Sequence, residues 1–295
     1  MKKKVIFASI LALSLSLCAC SSNKTGNVDE LTNTGTDLLE LNGIDDFEDY
    51  DEGYDEIVHD EPFYPSSFDG FTYESTLVKL GNYEGLRYAL PETYTASEEE
   101  IEEEVASLLS TYEMTEKNDE AAQYIGYENL KDMYEQIRFD IESGINSENY
   151  ASAATDLFNA LMASSEFNIL DSDIESVYKE QVASYEEMAT FFGVTFEELV
   201  NDYFEMTLED LEKEVKNDAV TSIKTTLLVN GVVKEAGIDM KSVWDEKCAE
   251  LLAEYGYDDA WEFVDLYEDE RYLISEVKYK LVADFLMEKG VNSLK

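Results

Sequence analysis

Residues 207–237, TLEDLEKEVKNDAVTSIKTTLLVNGVVKEAG, are the stretch that decides the fold class. Thr207, followed three residues later by Asp210, is typical of a helix N-terminus, because a threonine hydroxyl can accept a hydrogen bond from a backbone N–H of the first turn. Apolar residues then recur at helical spacing at Leu211, Val215, Ile223, Leu227 and Leu228. Gly237 supplies a helix stop. We predict one long helix that ends near Gly237.

The same signals recur on both sides of this stretch. Ser97 with Glu100 and Thr195 with Glu198 form capping boxes, and we expect an aspartate, Asp171 or Asp173, to cap the helix between them that ends around residues 191–193. Further helical spacing covers residues 101–112, 130–162, 241–255 and 258–289, with a kink or turn expected near Gly144 and a break near Tyr267. Residues 116–126 show low periodicity and predict a break, whereas residues 75–90 predict short extended or strand-like structure that ends at Pro91. The fold class is therefore mainly α.

Composition excludes several classes of protein. The chain has 295 residues, 67 Asp and Glu, 21 Lys and Arg, and a formal net charge of −46. A polyanion would be repelled by such a surface, so we expect no nucleic-acid partner. Hydrophobic residues make up 44% of the chain, with 20 Tyr and 14 Phe, which is enough apolar material for a core and is unlike a wholly disordered chain.

The first twenty residues resemble a bacterial lipoprotein signal. Three lysines precede the apolar run 5–17, which is too short to span a bilayer, and the run leads into the sequence LCAC at residues 17–20. The resemblance implies a signal peptide at residues 1–20, lipidation of Cys20, and a lipid-anchored protein on the extracytoplasmic face of the cell membrane. Removal of the three lysines would change the net charge to −49.

Residues 21–74 predict a disordered acidic tether. Fifteen acids and one base lie between residues 21 and 70, with no persistent helical or strand period. Self-repulsion should keep such a segment extended, which makes it a spacer between membrane and body. Aromatic residues are interleaved with the acids, so a docking motif for a partner is an alternative role. The helical domain is then expected at residues 75–295.

Known catalytic and metal-binding patterns are absent from the sequence. His59 is the only histidine and lies in the predicted tether, so neither a Ser-His-Asp or Cys-His pair nor a histidine-based zinc site can be assembled. Aligning Gly53 with the sixth position of an EF-hand loop puts Tyr50 and His59 where acids are required, so the calcium motif fails. Cys248 shares a helical face with Trp244 and is interpreted as a small buried hydrophobe. We expect no catalytic residue, metal or cofactor.

One short segment is unusually rich in Met and aromatic residues. It spans a predicted helix–turn–helix, and its candidate peptide-binding residues are Met188, Phe191, Phe192, Phe196, Tyr203 and Phe204, with Met206 beside them. Such residues usually pack between neighbouring helices. The functional alternative is an adaptable apolar surface that accepts varied peptide segments.

The order of several motifs is similar to trigger factor over residues 78–290. The motifs are residues 80–86 (LGNYEGL) followed by Pro91 and the acidic helix 97–104, residues 165–174 (SEFNILDSDI), residues 192–199 (FGVTFEEL) and residues 235–239 (EAGID). The last three resemble the trigger factor C-terminal domain, which has a SurA-like peptide-binding fold. The resemblance implies an elongated, multi-helix chaperone-like domain with arms.

Departures from trigger factor limit what the resemblance implies. Residues 116–126 leave no room for an FKBP-type isomerase domain, the ribosome-docking motif is absent, and Leu170 replaces a proline of the family pattern. We therefore expect no ribosome partner and no enzyme activity. The expected function is an ATP-independent, membrane-anchored chaperone-like protein that holds unfolded or newly exported polypeptides. The alternatives are an envelope scaffold lipoprotein with one dedicated partner and a foldase with prolyl isomerase activity; a metal- or ligand-binding lipoprotein has the least support.

Overall fold

The structure is a computed structural model that describes His59 and residues 61–295. The predicted signal peptide, Cys20 and most of the predicted tether lie outside these residues. The chain divides into two compact units. Unit 1 comprises Leu161–Asp284 and the described residues up to Asn82, and unit 2 comprises Tyr83–Ala160 and Phe285–Lys295.

Helices dominate the described residues, as the sequence predicts. The helices are α1 (Glu98–Thr111), α2 (Asp119–Ile125), α3 (Leu130–Ser164), α4 (Asp171–Phe191), α5 (Phe196–Glu198), α6 (Leu208–Glu235), α7 (Met240–Tyr255), α8 (Ala260–Tyr267) and α9 (Glu270–Lys289), with a π-helical turn at Leu199–Tyr203. The strands are β1 (Thr76–Lys79), β2 (Arg87–Tyr88), β3 (Glu166–Asn168) and β4 (Val291–Asn292). The extended structure predicted within residues 75–90, the break near Tyr267 and the long helix before Gly237 are confirmed.

Unit 2 contains α1, α2 and most of α3, and its main core is formed by α1, α2 and the first turns of α3. The capping box predicted at Ser97 and Glu100 is present, and the buried core includes Ile101, Val105 and Met133. The predicted break at residues 116–126 is wrong, because these residues contain α2. Asn118 caps this helix by accepting a hydrogen bond from the Ala121 N–H at 2.9 Å, and seven residues are too few for a visible period.

Helix α3 is continuous, which corrects the kink or turn predicted near Gly144. The helix has 35 residues and supplies residues to both units. Gly144 is exposed, and a Cβ atom there would meet nothing within 4 Å. A single helical glycine costs only about 1 kcal/mol relative to alanine. The apolar positions on either side are sufficient to keep the helix intact.

In unit 1 a buried carboxylate joins the N-terminal segment to α4. Asp173 accepts hydrogen bonds from the Ser75 N–H at 2.6 Å and the Ser75 hydroxyl at 2.5 Å, and a longer one from the Glu74 N–H. Burial alone would raise the pKa of Asp173, but these bonds lower it below its usual value. The prediction that Asp171 or Asp173 caps α4 is wrong, because Leu170 is the N-cap residue and makes no side-chain cap.

The antiparallel pair of β1 and β3 completes this part of unit 1. Gly81 follows β1 and is buried against the end of α3. A Cβ atom at Gly81 would lie 2.1 Å from the Ser164 hydroxyl oxygen, so only glycine fits without a shift of the backbone.

Residues 61–74 pack on the helices of unit 1, although the sequence predicts them as tether. We call His59 and residues 61–73 the strap. Phe63 and Phe68 pack against the core formed by α7, α8 and α9, and Pro65 is buried. The tether boundary predicted at residue 74 is therefore too late in the chain. Interleaved acids suggested a solvated segment, but the aromatic residues between them find an apolar surface more than 170 residues away in sequence.

The core of α7–α9 contains two groups that bear on stability. Cys248 is buried, as predicted, and burial raises the pKa of its thiol to about 11, so it stays protonated. Glu276 is 7% exposed and accepts a hydrogen bond from the Tyr255 hydroxyl at 3.2 Å. Burial raises the pKa of Glu276 to about 7.

Candidate functional site

The predicted helix–turn–helix is present between α4 and α5. Gly193 has a φ of +68°, which permits the tight turn, and the Val194 N–H donates to the Ala189 carbonyl at 3.0 Å. The capping box predicted at the start of α5 is confirmed. The Thr195 hydroxyl oxygen accepts from the Glu198 N–H at 3.2 Å, and the Glu198 carboxylate accepts from the Thr195 N–H at 2.8 Å.

A π-helical turn follows α5 directly. It begins at Leu199, whose carbonyl accepts from the Phe204 N–H at 3.1 Å. Glu205 then takes a φ of +53°, a conformation that is uncommon outside glycine, and the chain enters α6 through the Thr207 cap. Tyr203 is the last residue of the π-helical turn, and Phe204 lies between this turn and the bend at Glu205. Nothing in the sequence pattern predicted a π-helical turn.

All six candidate residues are at least partly exposed. Phe191 is the most exposed at 54%, and the other five are half-buried: Met188, Phe192, Phe196, Tyr203 and Phe204. The Phe191 and Phe192 rings lie edge to face, with centroids 5.5 Å apart. Phe196 and Phe204 also pack on the small core of Val200, Leu211 and Val215. The set therefore combines a packed edge with an exposed apolar edge. We call these six residues the hairpin surface.

A shallow depression of about 330 Å³ lies between α4 and α6 in the same unit. It is lined by Asp171, Ile174, Glu175, Lys216, Asn217 and Val220. The Lys216 ammonium lies 2.6 Å from a Glu212 carboxylate oxygen and 4.9 Å from the centre of the Tyr178 ring. The lining of the depression therefore mixes apolar and charged side chains. No sequence pattern predicted this depression, and the only available signal was the helical spacing between Glu212 and Lys216.

Acidic residues surround the hairpin surface along the chain. Residues 180–212 contain ten acids and no Lys or Arg. Several of these acids, among them Glu187, Glu197 and Glu205, are exposed beside the aromatic rings. A neutral or basic segment would approach this surface without the repulsion that an acidic one would meet.

The described residues offer neither a metal site nor a membrane-spanning helix. No group of three or more His, Cys, Asp or Glu side chains in His59 and residues 61–295 could hold a metal ion. Over the same part of the chain, no helix is both long and apolar enough to cross a bilayer.

Comparisons with known proteins give a family match and a distant likeness to a solved structure. No curated protein matches the chain. The crystal structure of a hypothetical Mycoplasma protein matches with a TM-score of 0.31 and 16% identity, covering 78% of this chain and 99% of that one.

The family match covers the helical body and includes the hairpin surface. Residues 129–288 match the family described as the bacterial trigger factor protein C-terminus, which is more than half of the chain. The motifs at residues 165–174, 192–199 and 235–239 lie inside the match, which confirms the resemblance for this region. The likeness stated for residues 78–128 lies outside the match and stays a prediction. The chain belongs to the trigger factor C-terminal family.

Proposed function

We propose that this protein is a membrane-anchored, extracytoplasmic, chaperone-like protein that holds unfolded or newly exported polypeptides without ATP. One observation supports it above the others: a chain of the trigger factor C-terminal family has six Met and aromatic side chains clustered on one hairpin, none of them fully buried. In a monomer built only for stability, such side chains would be packed in the core.

The mixture of packed and exposed edges suits reversible binding. Phe196 and Phe204 are held by the core of unit 1, which keeps the surface in shape. Phe191 would bury its exposed half against an apolar client side chain, and Met188 can adapt to different shapes. Each such contact is small, so a held segment could be released without an energy source. The surrounding acids favour neutral or basic segments and oppose self-association.

A holdase assay tests the proposal. The full chain, reconstituted in phospholipid nanodiscs, is mixed at equimolar ratio with two unrelated denatured proteins, and aggregation is followed by light scattering against empty nanodiscs. We expect aggregation to be delayed at least about twofold, because exposed apolar segments would be covered. If the aggregation of neither protein is delayed, the proposed function is refuted.

A matched pair of variants tests the hairpin surface itself. Phe191→Ser removes an exposed aromatic ring from that surface, whereas Phe139→Ser removes a ring that is 60% exposed on α3 of unit 2. Neither ring is in a buried core, so both variants should fold. We expect the first to lose most of the holding activity and the second to keep it. Equal loss in both variants would show that the hairpin surface has no special role.

Two other outcomes would support other functions. If a pull-down from envelope extracts returns one stoichiometric partner and no spectrum of unfolded clients, the dedicated-partner scaffold is correct. If the chain accelerates isomerisation of an X-Pro bond in a short peptide, it is a foldase. We expect no such acceleration, since the trigger factor C-terminal family is a chaperone-type domain and is not catalytic.

The anchor is tested separately, at Cys20. We propose that Cys20 is lipidated and becomes the N-terminus of the mature protein when residues 1–19 are removed. Metabolic labelling with a radioactive fatty acid should therefore label the wild-type chain and not the Cys20→Ala variant. The cells are then stripped of the layers outside the cell membrane, with that membrane left intact. Protease added to these cells should degrade the chain if it faces outward. Survival of the chain until the cells are lysed would contradict the extracytoplasmic location.

A further inference from the structure

The strap lies against helices α7–α9 of unit 1 in the way that an extended peptide lies in a binding groove. It forms neither helix nor strand. The Phe63 ring meets the Trp261 ring edge to face with centroids 5.0 Å apart, and the Phe68 ring meets Trp244 at 5.4 Å. Trp244 is only 1% exposed, so the strap helps to cover it. We call the surface under the strap, formed by Trp244, Trp261, Tyr272 and Lys278, the α7–α9 face.

The α7–α9 face also binds the main chain of the strap. The Trp261 indole N–H donates to the Glu61 carbonyl at 2.8 Å. The Lys278 ammonium, 6% exposed, donates to the Phe68 and Asp69 carbonyls at 3.2 and 3.0 Å. Every polypeptide has such carbonyls, so these three bonds do not depend on the sequence of the bound segment. Apolar pockets together with side-chain donors to the main chain are the elements of a general peptide site.

Charge indicates that the strap is not the best occupant of this face. The strap contributes Glu61 and Asp69, and it contains no Lys or Arg. Its favourable charge contacts are the His59 Nε2 atom, 2.9 Å from an Asp265 carboxylate oxygen, and Asp69 near the Lys278 ammonium. Residues 258–270, which form α8 and the approach to α9, contain seven acids and no base. Like charges across an interface weaken it and discriminate against an acidic occupant. A segment with the same rings and fewer acids would bind the same face more tightly.

We propose that the α7–α9 face is a second peptide-binding surface, which the strap occupies in cis until an extended, aromatic-bearing polypeptide segment without excess acid displaces it. This inference rests on the proposed holding function and assigns it a second, self-covered surface. A tethered occupant acts at an effective concentration of about 1 mM, so it excludes dilute peptides and yields to segments held nearby or bound more tightly. The strap would thus protect the apolar face when no client is present.

Three labelled peptides of residues 59–73 test the proposal by fluorescence anisotropy. One has the natural sequence, one has its three acids (Asp60, Glu61, Asp69) replaced by the corresponding amides, and one has its three phenylalanines (Phe63, Phe68, Phe71) replaced by serine. Each is titrated into the full chain in nanodiscs, as wild type and as a Phe63→Ser/Phe68→Ser variant with a weakened strap. We expect the amide peptide to bind the variant at least about tenfold more tightly than the wild type, because the face is vacated. The order of affinity should be amide, natural, serine.

Three results would overturn the inference. Equal affinity of the amide peptide for wild type and a folded variant would show that the strap does not compete for the face. Binding of the serine peptide as tightly as the natural one would show that the pockets do not recognise the rings. If clients are held but no peptide binds, only this inference fails. If peptides bind as expected but no client is held, the proposed function fails.

Thiol labelling shows whether the strap opens, even if the double variant does not fold. Phe68→Cys places a thiol in the strap, and Ala219→Cys places one in the fully buried interior of α6. We expect the strap thiol to react at least about a hundredfold faster than the interior thiol without denaturant, since only the strap would need to open. Equal rates would mean that the strap opens only when unit 1 unfolds, and the inference would be wrong.

Discussion

Replacing Glu276 with Gln is expected to remove a pH-dependent weakness of unit 1. The carboxyl group of Glu276 is buried, and burial raises its pKa from an ordinary 4.5 to about 7. Below pH 4.5 the group is protonated in both folded and unfolded chains and has no effect. Between pH 4.5 and 7 the unfolded chain releases the proton and the folded chain retains it, so stability falls as pH rises. Above pH 7 the full loss is present, about 3 kcal/mol from 1.36 kcal/mol per pH unit.

The glutamine variant lacks this titration while keeping an oxygen that can accept from the Tyr255 hydroxyl. Its stability relative to wild type should therefore rise by up to about 3 kcal/mol between pH 5 and pH 8. Urea denaturation at each pH, followed by the fluorescence of Trp244 and Trp261 in unit 1, measures this difference. The exposed Glu246 of α7 provides the control, because Glu246→Gln should show little change with pH. A relative stability of the Glu276 variant that stays constant from pH 5 to pH 8 would refute the reasoning.

Three further substitutions probe local features of the two units. Asp173→Ala should destabilise unit 1 by about 1–3 kcal/mol in urea denaturation, since the substitution leaves the buried N–H and hydroxyl of Ser75 without their acceptor. No loss of stability would mean that water replaces the carboxylate. Gly81→Ala should cost about 1–3 kcal/mol in the same assay, because its Cβ would overlap the Ser164 hydroxyl, and an unchanged midpoint would contradict the close approach. Gly144→Ala should stabilise α3 by about 0.5–1 kcal/mol in thermal melts followed by circular dichroism, and a lower melting temperature would show that the position needs flexibility.

Local sequence signals predicted most of the helical framework. Thr195 and Thr207 both cap helices as expected, because a cap depends only on residues within one turn. The same logic failed at Asp173, whose acceptor oxygens are engaged by Ser75 from a segment 98 residues away in sequence. A pattern of neighbours along the chain cannot reveal that competition. Helix α2 was not predicted for a local reason, because its seven residues are too few to show a helical period.

The residues of the candidate site were predictable from the sequence, but their exposure and their neighbours in the fold were not. Spacing grouped Phe191, Phe196 and Phe204 on one helix–turn–helix, but exposure depends on which neighbouring helix covers which ring. The strap was misassigned because its acids suggested solvent while its aromatic partners lie in α7–α9. Lys278 gave no signal at all, since a lysine in the middle of a helix is ordinarily solvated and here is buried against strap carbonyls.

The π-helical turn at Leu199–Tyr203 restricts how the hairpin can vary in length. Its wider hydrogen-bonded ring accommodates one residue more than an α-helical turn would. Deleting any one of these five residues would restore α-helical geometry and rotate the following backbone by about 100°. Phe204 would then leave the core of Val200 and Leu211, and Thr207 would no longer begin α6 in its present orientation. Related chains should therefore keep this segment at constant length even where their residues differ, and an alignment showing frequent single deletions there would indicate that the aromatic cluster is dispensable.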